Sequence, residues 1–259
     1  MNIPLVLKFK KYIKKALTRR KELESFSLDG VQFNVVDYSY WFGIWPSTRT
    51  IEHDEGKRFS SVIYLNSKNG HPYLPPVQAM IKAWAGWHEY HHALVLGCAG
   101  CAIPRFLFDE YESCFITGVE HSDKMIEIAR KFFLHGIDGR FQFVQGDAFD
   151  YVSSYQGEGY DLIVVDLFHG KGLVMRIFTD DFMSNLKRIC SDTGLVIFNL
   201  SSYLSQEELD EYKTAIKHFF PEASLMSWHY SRFIALFPGK VGHDVVGSFK
   251  KKTQAYLRK

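Results

Sequence analysis

Four short apolar runs in this 259-residue chain end on residues able to hold or polarise a ligand: Leu94–Leu96 on Gly97, Phe115–Val119 on Glu120, Phe141–Gln145 on Gly146-Asp147, and Leu162–Val165 on Asp166. A carboxylate at the end of a buried strand can accept hydrogen bonds from both hydroxyls of a ribose, and Glu120, 23 positions after Gly97, has the spacing for it. Between them lies Gly97-Cys98-Ala99-Gly100-Cys101-Ala102, a loop of small residues whose backbone a ligand can approach closely. Three acids at separate strand ends converging on one crevice make a stronger signal than any single motif.

These residues need a parallel sheet to bring them together, and the chain supplies its grammar. After residue 92, strands and helices alternate: strand Leu94–Gly97, helix Ile103–Glu110, strand Phe115–Glu120, and helix Lys124–Leu134 capped by Ser122 or Asp123. Strand Phe141–Gln145, a short helix Phe149–Ser154 and strand Leu162–Asp166 follow, the last wholly apolar up to its acid, as a central parallel strand requires. Helix Phe178–Cys190, a turn at Asp192-Thr193-Gly194, strand Leu195–Asn199 and helix Glu207–Phe220 come next, and the strands Ala223–Ser227 and Phe233–Phe237 close the region. The order predicts an α/β fold, a doubly wound, mostly parallel seven-stranded sheet with a late antiparallel strand. Ligands on such sheets bind beyond the carboxyl ends of the strands, beside the first one.

Upstream, Phe26–Leu65 is rich in Val, Ile, Tyr, Phe and Trp between turn signals such as Asp29-Gly30, and reads as a small β-rich domain. Val77–Trp87 has helical spacing after a cluster of prolines. Leu5, Phe9, Tyr12, Ile13, Ala16 and Leu17, with lysines on the other faces, read as a basic amphipathic helix. The expected organisation is a basic amphipathic helix over 1–24, a β-rich domain over 25–75, a linking helix over 76–92, a nucleoside-binding Rossmann-like domain over 93–238 and a basic tail over 239–259.

Composition narrows the class. With 46% hydrophobic and 16% aromatic residues the chain can bury a substantial core, and no apolar run approaches the roughly 20 residues that span a bilayer. The basic residues near the start follow the apolar patch instead of preceding it, so a secretory signal is not expected and a cytoplasmic location is. The net charge of +2 hides an asymmetry: residues 1–21 hold eight Lys/Arg and no acid, whereas the body between 22 and 237 is acidic. An acidic body suits a cationic small substrate, while basic ends suit phosphates or an anionic membrane. The Cys98-x-x-Cys101 pair has no second pair at zinc spacing, and both thiols sit where the fold wants small residues, so they read as reduced packing residues. His88, Glu89, His91 and His92 precede the first parallel strand in what reads as an exposed turn, and no metal site is expected.

Leu94–Leu107, Val119–Phe133, Gly146–Phe149 and Tyr160–Asp166 together resemble the class I S-adenosylmethionine-binding (methyltransferase-like Rossmann) fold, and within it the spermidine synthase-like, or polyamine aminopropyltransferase, family. The similarity covers roughly residues 65–237, and the β-rich amino-terminal region suits it. The resemblance implies that Gly97 and Gly100 shape the loop beside the methionine moiety, that Glu120 holds the ribose, and that Asp147 and Ala148 face the adenine. It places Asp166 where the family has a carboxylate that positions or deprotonates the attacking amine. Tyr73, just before the linking helix, and Gln78, in its first turn, are the candidates for contact with the acceptor. Three departures stand beside the matches. The loop lacks the family's acid, Asp166 is followed by Leu167, Phe168 and His169 instead of a second acid, and Pro76-Val77-Gln78 stands where synthases often have Tyr-His-Glu.

Alkyl transfer from a sulfonium needs little covalent help, because the thioether already leaves well; the protein must hold nucleophile and carbon in line and keep the amine neutral. Asp166 is the expected proton acceptor, and His169 a second candidate for near-neutral pH. The leading expectation is a transferase that takes S-adenosylmethionine or its decarboxylated form as group donor and alkylates a small amine-type acceptor. The alternatives are a methyltransferase of other acceptors and a non-catalytic nucleoside-binding protein of the same fold. A second copy of the chain is an expected partner; nucleic acid or a membrane at the basic ends is the weaker reading.

Overall fold

A computed structural model describes residues 18–40, 47–53, 58–65, 75–137, 139–169, 172–201, 205–228, 231–239 and 241–257. The chain divides into two compact units, 1–72 and 73–259.

In the first unit, β1 (Thr18–Leu28), β2 (Val31–Tyr40), β3 (Thr48–His53) and β4 (Arg58–Tyr64) form an antiparallel sheet in chain order. The Asp29-Gly30 turn sets the β1–β2 register, which places Phe26 opposite Phe33 with their rings stacked 5.4 Å apart. The β-rich reading is met. Residues 18–24, expected inside the basic helix, instead open β1, because cross-strand pairing to β2 outweighs local helical spacing. The helical stripe Leu5–Leu17 lies outside the described residues.

The second unit contains the predicted sheet. Its strands are β5 (His92–Leu96), β6 (Phe115–Glu120), β7 (Phe141–Gln145), β8 (Tyr160–Val165), β11 (Cys190–Ser201), β12 (Ser224–Trp228) and β13 (Ser231–Leu236), in the order β12-β13-β11-β8-β5-β6-β7. Five strands from β11 to β7 run parallel, and β13 runs against its neighbours. The chain winds outward from β5 to β6 and β7, then returns to β8 on the other side, so the switch point lies between β5 and β8. A two-rung hairpin, β9 (Phe168–His169) with β10 (Gly172–Leu173), follows β8 directly.

Helices α1 (Pro76–Trp84), α2 (Ala102–Glu110), α3 (Asp123–Phe132), α4 (Ala148–Ser154), α5 (Asp180–Ile189), α6 (Gln206–Phe219) and α7 (His243–Leu257) complete the unit. Strand alternation decides which face each meets: Ala93, Val95, Leu162, Val164, Leu195 and Ile197 pack towards α1, α2 and α7. Leu94, Leu96, Ile163, Val165, Val196 and Phe198 pack towards α4, α5 and α6. The result is a three-layer sandwich with a core on each face of the sheet.

Two segments differ from expectation. Asp192-Thr193-Gly194 is not a separate turn: β11 begins at Cys190, which pairs with Tyr160, and a register shift before Leu195 absorbs these residues. The expected basic tail contains α7, whose buried Val246, Phe249, Thr253 and Leu257 form one stripe behind the lysines. Phe249 reaches Trp84 of α1 at 5.8 Å between ring centroids, and the Lys252 ammonium lies 3.8 Å over the Trp87 ring. No described helix is long and apolar enough to cross a membrane.

Candidate active site

Backbone hydrogen bonds extend the sheet just past its strand ends. Gly97 N–H donates to the Val119 carbonyl (2.9 Å), Asp166 N–H to Leu96 (2.9 Å) and Gly146 N–H to Glu120 (3.1 Å). These bonds set Gly97, Glu120, Gly146 and Asp166 side by side at the carboxyl edge. The approach at Gly97 excludes any larger residue: its φ is +81° and an added Cβ would lie 2.4 Å from the Asp166 carbonyl oxygen.

The loop after β5 is tightly wound. Ala99 (φ +42°) and Cys101 (φ +60°) take left-handed conformations that non-glycine residues rarely adopt, and Cys101 N–H closes back on the Cys98 carbonyl at 2.7 Å. Glu120 holds this winding in place. One of its carboxylate oxygens, Oε2, accepts from Cys98 N–H (3.2 Å) and Ala99 N–H (3.1 Å), and Oε1 accepts from Ser122 N–H (3.1 Å). The side chain is buried, and His121 Nδ1 lies 3.2 Å from Oε1 on the solvent side. Three backbone donors on one carboxylate make Glu120 the clasp between the small-residue loop and β6.

Asp166 stands just past β8, on the other side of β5 from Glu120, partly accessible, with Oδ1 accepting from Asn199 Nδ2 at 2.8 Å. Burial pushes its carboxyl up to about 6; the Asn199 bond opposes that rise and the negative charge of Glu120 adds to it. An acid that changes charge near neutral pH is suited to take up and release a proton.

The other expected site residues are placed differently. Asp147 is exposed and caps α4, its Oδ1 accepting from Phe149 N–H (2.7 Å) and Asp150 N–H (3.1 Å), with Ala148 buried as the first residue of that helix. Gly100 lies buried in the turn between Cys98 and Cys101. His169 belongs to β9, its backbone opposite Gly172. Gln78 is buried in the first turn of α1, a helix that packs on α7, α2 and β11. Tyr73 lies outside the described residues.

Cys98 and Cys101 are buried free thiols. Cys98 packs against β6 where Gly118 leaves room, since an added Cβ there would lie 2.6 Å from its sulfur. Hydrogen bonding with Cys101, then burial, holds the Cys98 thiol well above its ordinary range, so it is a packing residue and not a nucleophile. Among the described residues, no three His, Cys, Asp or Glu side chains are grouped to hold a metal ion.

Asn199 is the site residue that the strand-end pattern did not bring out. It ends the apolar run Leu195–Phe198 as Asp166 ends Leu162–Val165, so the same signal was present with an amide in place of an acid.

The sequence model of the Spermine/spermidine synthase domain matches residues 86–235. A polyamine aminopropyltransferase of Vibrio vulnificus (strain CMCP6) is 23% identical over 170 residues, 64% of this chain and 57% of that protein. An eEF1A lysine and N-terminal methyltransferase of Mus musculus is 30% identical over 116 residues, 41% of this chain and 17% of that one. The chain thus spans less than two thirds of the length of these curated relatives. In fold, it is similar to the crystal structure of a probable spermidine synthase from Corynebacterium glutamicum ATCC 13032, with a TM-score of 0.71 at 14% identity, covering 88% of this chain and 86% of that one. The family match runs through every strand of the parallel sheet and holds Gly97, Glu120, Asp166 and Asn199, and on it the chain belongs to the spermine/spermidine synthase family.

Proposed function

We propose that the crevice binds an S-adenosyl sulfonium nucleoside, S-adenosylmethionine or its decarboxylated form, and that the protein transfers an alkyl group from it to an amine. The observation that carries this reading is the placement of Glu120, clasped to the small-residue loop after β5, and Asp166, whose carboxyl is pushed up to about 6, at the carboxyl ends of the two strands that flank β5. The donor set fits the nucleoside. A carboxylate has about four acceptor positions; backbone N–H groups take three in Glu120 and the exposed His121 lies beside Oε1, so a ribose hydroxyl would displace His121 or replace one loop N–H. The bound sulfonium supplies an activated carbon and a neutral thioether as leaving group. Asp166, mostly ionised above pH 6, accepts the proton that the acceptor amine loses as its nitrogen becomes alkylated. The acidic body draws a cationic acceptor to this edge, and we place the protein in the cytoplasm.

A second reading, methyl transfer, is favoured by the loop itself: Ala99, Gly100 and Cys101 carry no acid to meet the ammonium of a decarboxylated donor, and the β9–β10 hairpin occupies the segment where the family has a second acid. Calorimetric titration with both sulfonium nucleosides and with methylthioadenosine tests the shared claim; absence of binding to all three overturns it. Transfer of radiolabelled methyl or aminopropyl groups to putrescine then separates the two reactions.

A further inference from the structure

We propose that Asn199 is a positioning residue for this reaction: its amide holds the Asp166 carboxylate in one orientation and leaves Oδ2 to meet the acceptor amine. The inference rests on the transfer reading above and adds a residue to it. Asn199 sits in β11, two residues before its end at Ser201, and Asp166 just past β8, where the parallel register sets Phe198 opposite Val165. The two side chains therefore leave adjacent strands at the same height, and the Nδ2–Oδ1 distance of 2.8 Å is that of a well-formed bond. Among the described residues no hydrogen bond reaches Asp166 Oδ2.

An amide fits this place for a chemical reason. Its NH2 donates to the ionised carboxylate, and after a flip its carbonyl accepts from the protonated acid, so Asp166 keeps a partner in both states of a proton-transfer cycle. An alkyl side chain would offer neither bond. A second carboxylate would add a like charge at the position now held by the amide. The titratable groups that act on Asp166 are Glu120, at the end of β6, and the Cys98 thiol, in the loop after β5; Asn199 is the neighbour that favours its ionised form.

The test uses the full chain and two variants, Asn199→Leu and Asn199→Asp, the second keeping shape and polarity in case the first does not fold. The titration of Asp166 is followed by carbon-detected NMR of side-chain carboxyls, its signal assigned as the one lost in Asp166→Asn. The expected result is a midpoint raised by roughly one pH unit in Asn199→Leu and by at least as much in Asn199→Asp. With a turnover assay in hand, the acidic limb of the kcat/KM profile moves by the same amount while KM for the nucleoside stays within about twofold. An unmoved Asp166 midpoint in either folded variant overturns the assignment, whatever the activity. A shifted midpoint with an unmoved acidic limb also overturns it, since Asn199 then acts on a carboxylate that is not the base. Failure of nucleoside binding in the parent protein would instead sink the transfer reading, and the NMR midpoint is measured independently of it.

Discussion

Glu120 accepts hydrogen bonds from three backbone N–H groups of its own chain, so Glu120→Ala has two separable consequences. Loss of the clasp leaves buried donors without a partner, and the expected destabilisation is about 2–4 kcal/mol, read from urea unfolding. Nucleoside affinity should fall at least about 100-fold by calorimetry, a larger loss than Ser122→Ala, which removes only a helix cap, would give. Equal affinities for Glu120→Ala and the parent would remove Glu120 from the binding site. Asp166 is the reverse case, a residue whose native environment opposes its charge. Its carboxyl titrates at about 6 when folded against an ordinary 3.8, so the folded state binds more protons than the unfolded state between those values. Stability therefore falls as pH rises through that window, and above it the ionised, half-buried carboxylate weighs against folding in full. Asp166→Asn should be more stable than the parent by about 1–3 kcal/mol at pH 8 and lose that advantage as pH drops to 4. A difference that stays constant from pH 4 to 8 would show that the carboxyl is not strained by burial.

At the scale of elements, the crevice depends on how closely β5, β6 and β8 approach. Gly118, in the middle of β6, makes room for the Cys98 sulfur, and a Cβ there would also come within 3.0 Å of the Phe141 ring on β7. Gly118→Ala should destabilise the fold by about 1–3 kcal/mol through overpacking, and adding Cys98→Ala should recover part of the loss. Calorimetric melts of the single and double variants check this coupling; purely additive losses would mean that the two positions do not press on each other. The strands and helices that frame the site were legible because each announces itself locally. Phe115–Glu120 and Phe141–Gln145 have the bounds read from their apolar runs, and Ser122 caps α3 as its residue type suggests. Asp147 was less legible, because an acid before a helix serves equally as a cap or as a ligand contact, and the sequence carries no sign of which N–H groups it meets.

At the scale of the second unit as a whole, α7 shows how a charged run can conceal a core element. Lys250, Lys251 and Lys252 are exposed, while Phe249 is fully buried on the opposite side against Trp84 and Phe237. Phe249→Ala should cost about 3–5 kcal/mol, as expected for an aromatic side chain removed from a packed interface, and deletion of 243–257 should expose Trp84 with a red shift of tryptophan fluorescence. A variant that melts with the parent would show that α7 is not part of this core.

The sequence alone determined the order of elements, the strand ends on which Gly97, Glu120 and Asp166 sit, the parallel sheet that carries them and the family they resemble. All of these depend on short-range periodicity and on residue types at fixed offsets. Only the tertiary structure decided what those residues bind within the protein: Glu120 reaches back 22 positions to Cys98, and Asp166 pairs with Asn199 33 positions ahead. It also decided that the lysine-rich end contains a core helix and that β1 starts inside a basic segment. Each of these outcomes rests on register and packing between segments far apart in the chain, and local pattern does not encode how such segments meet.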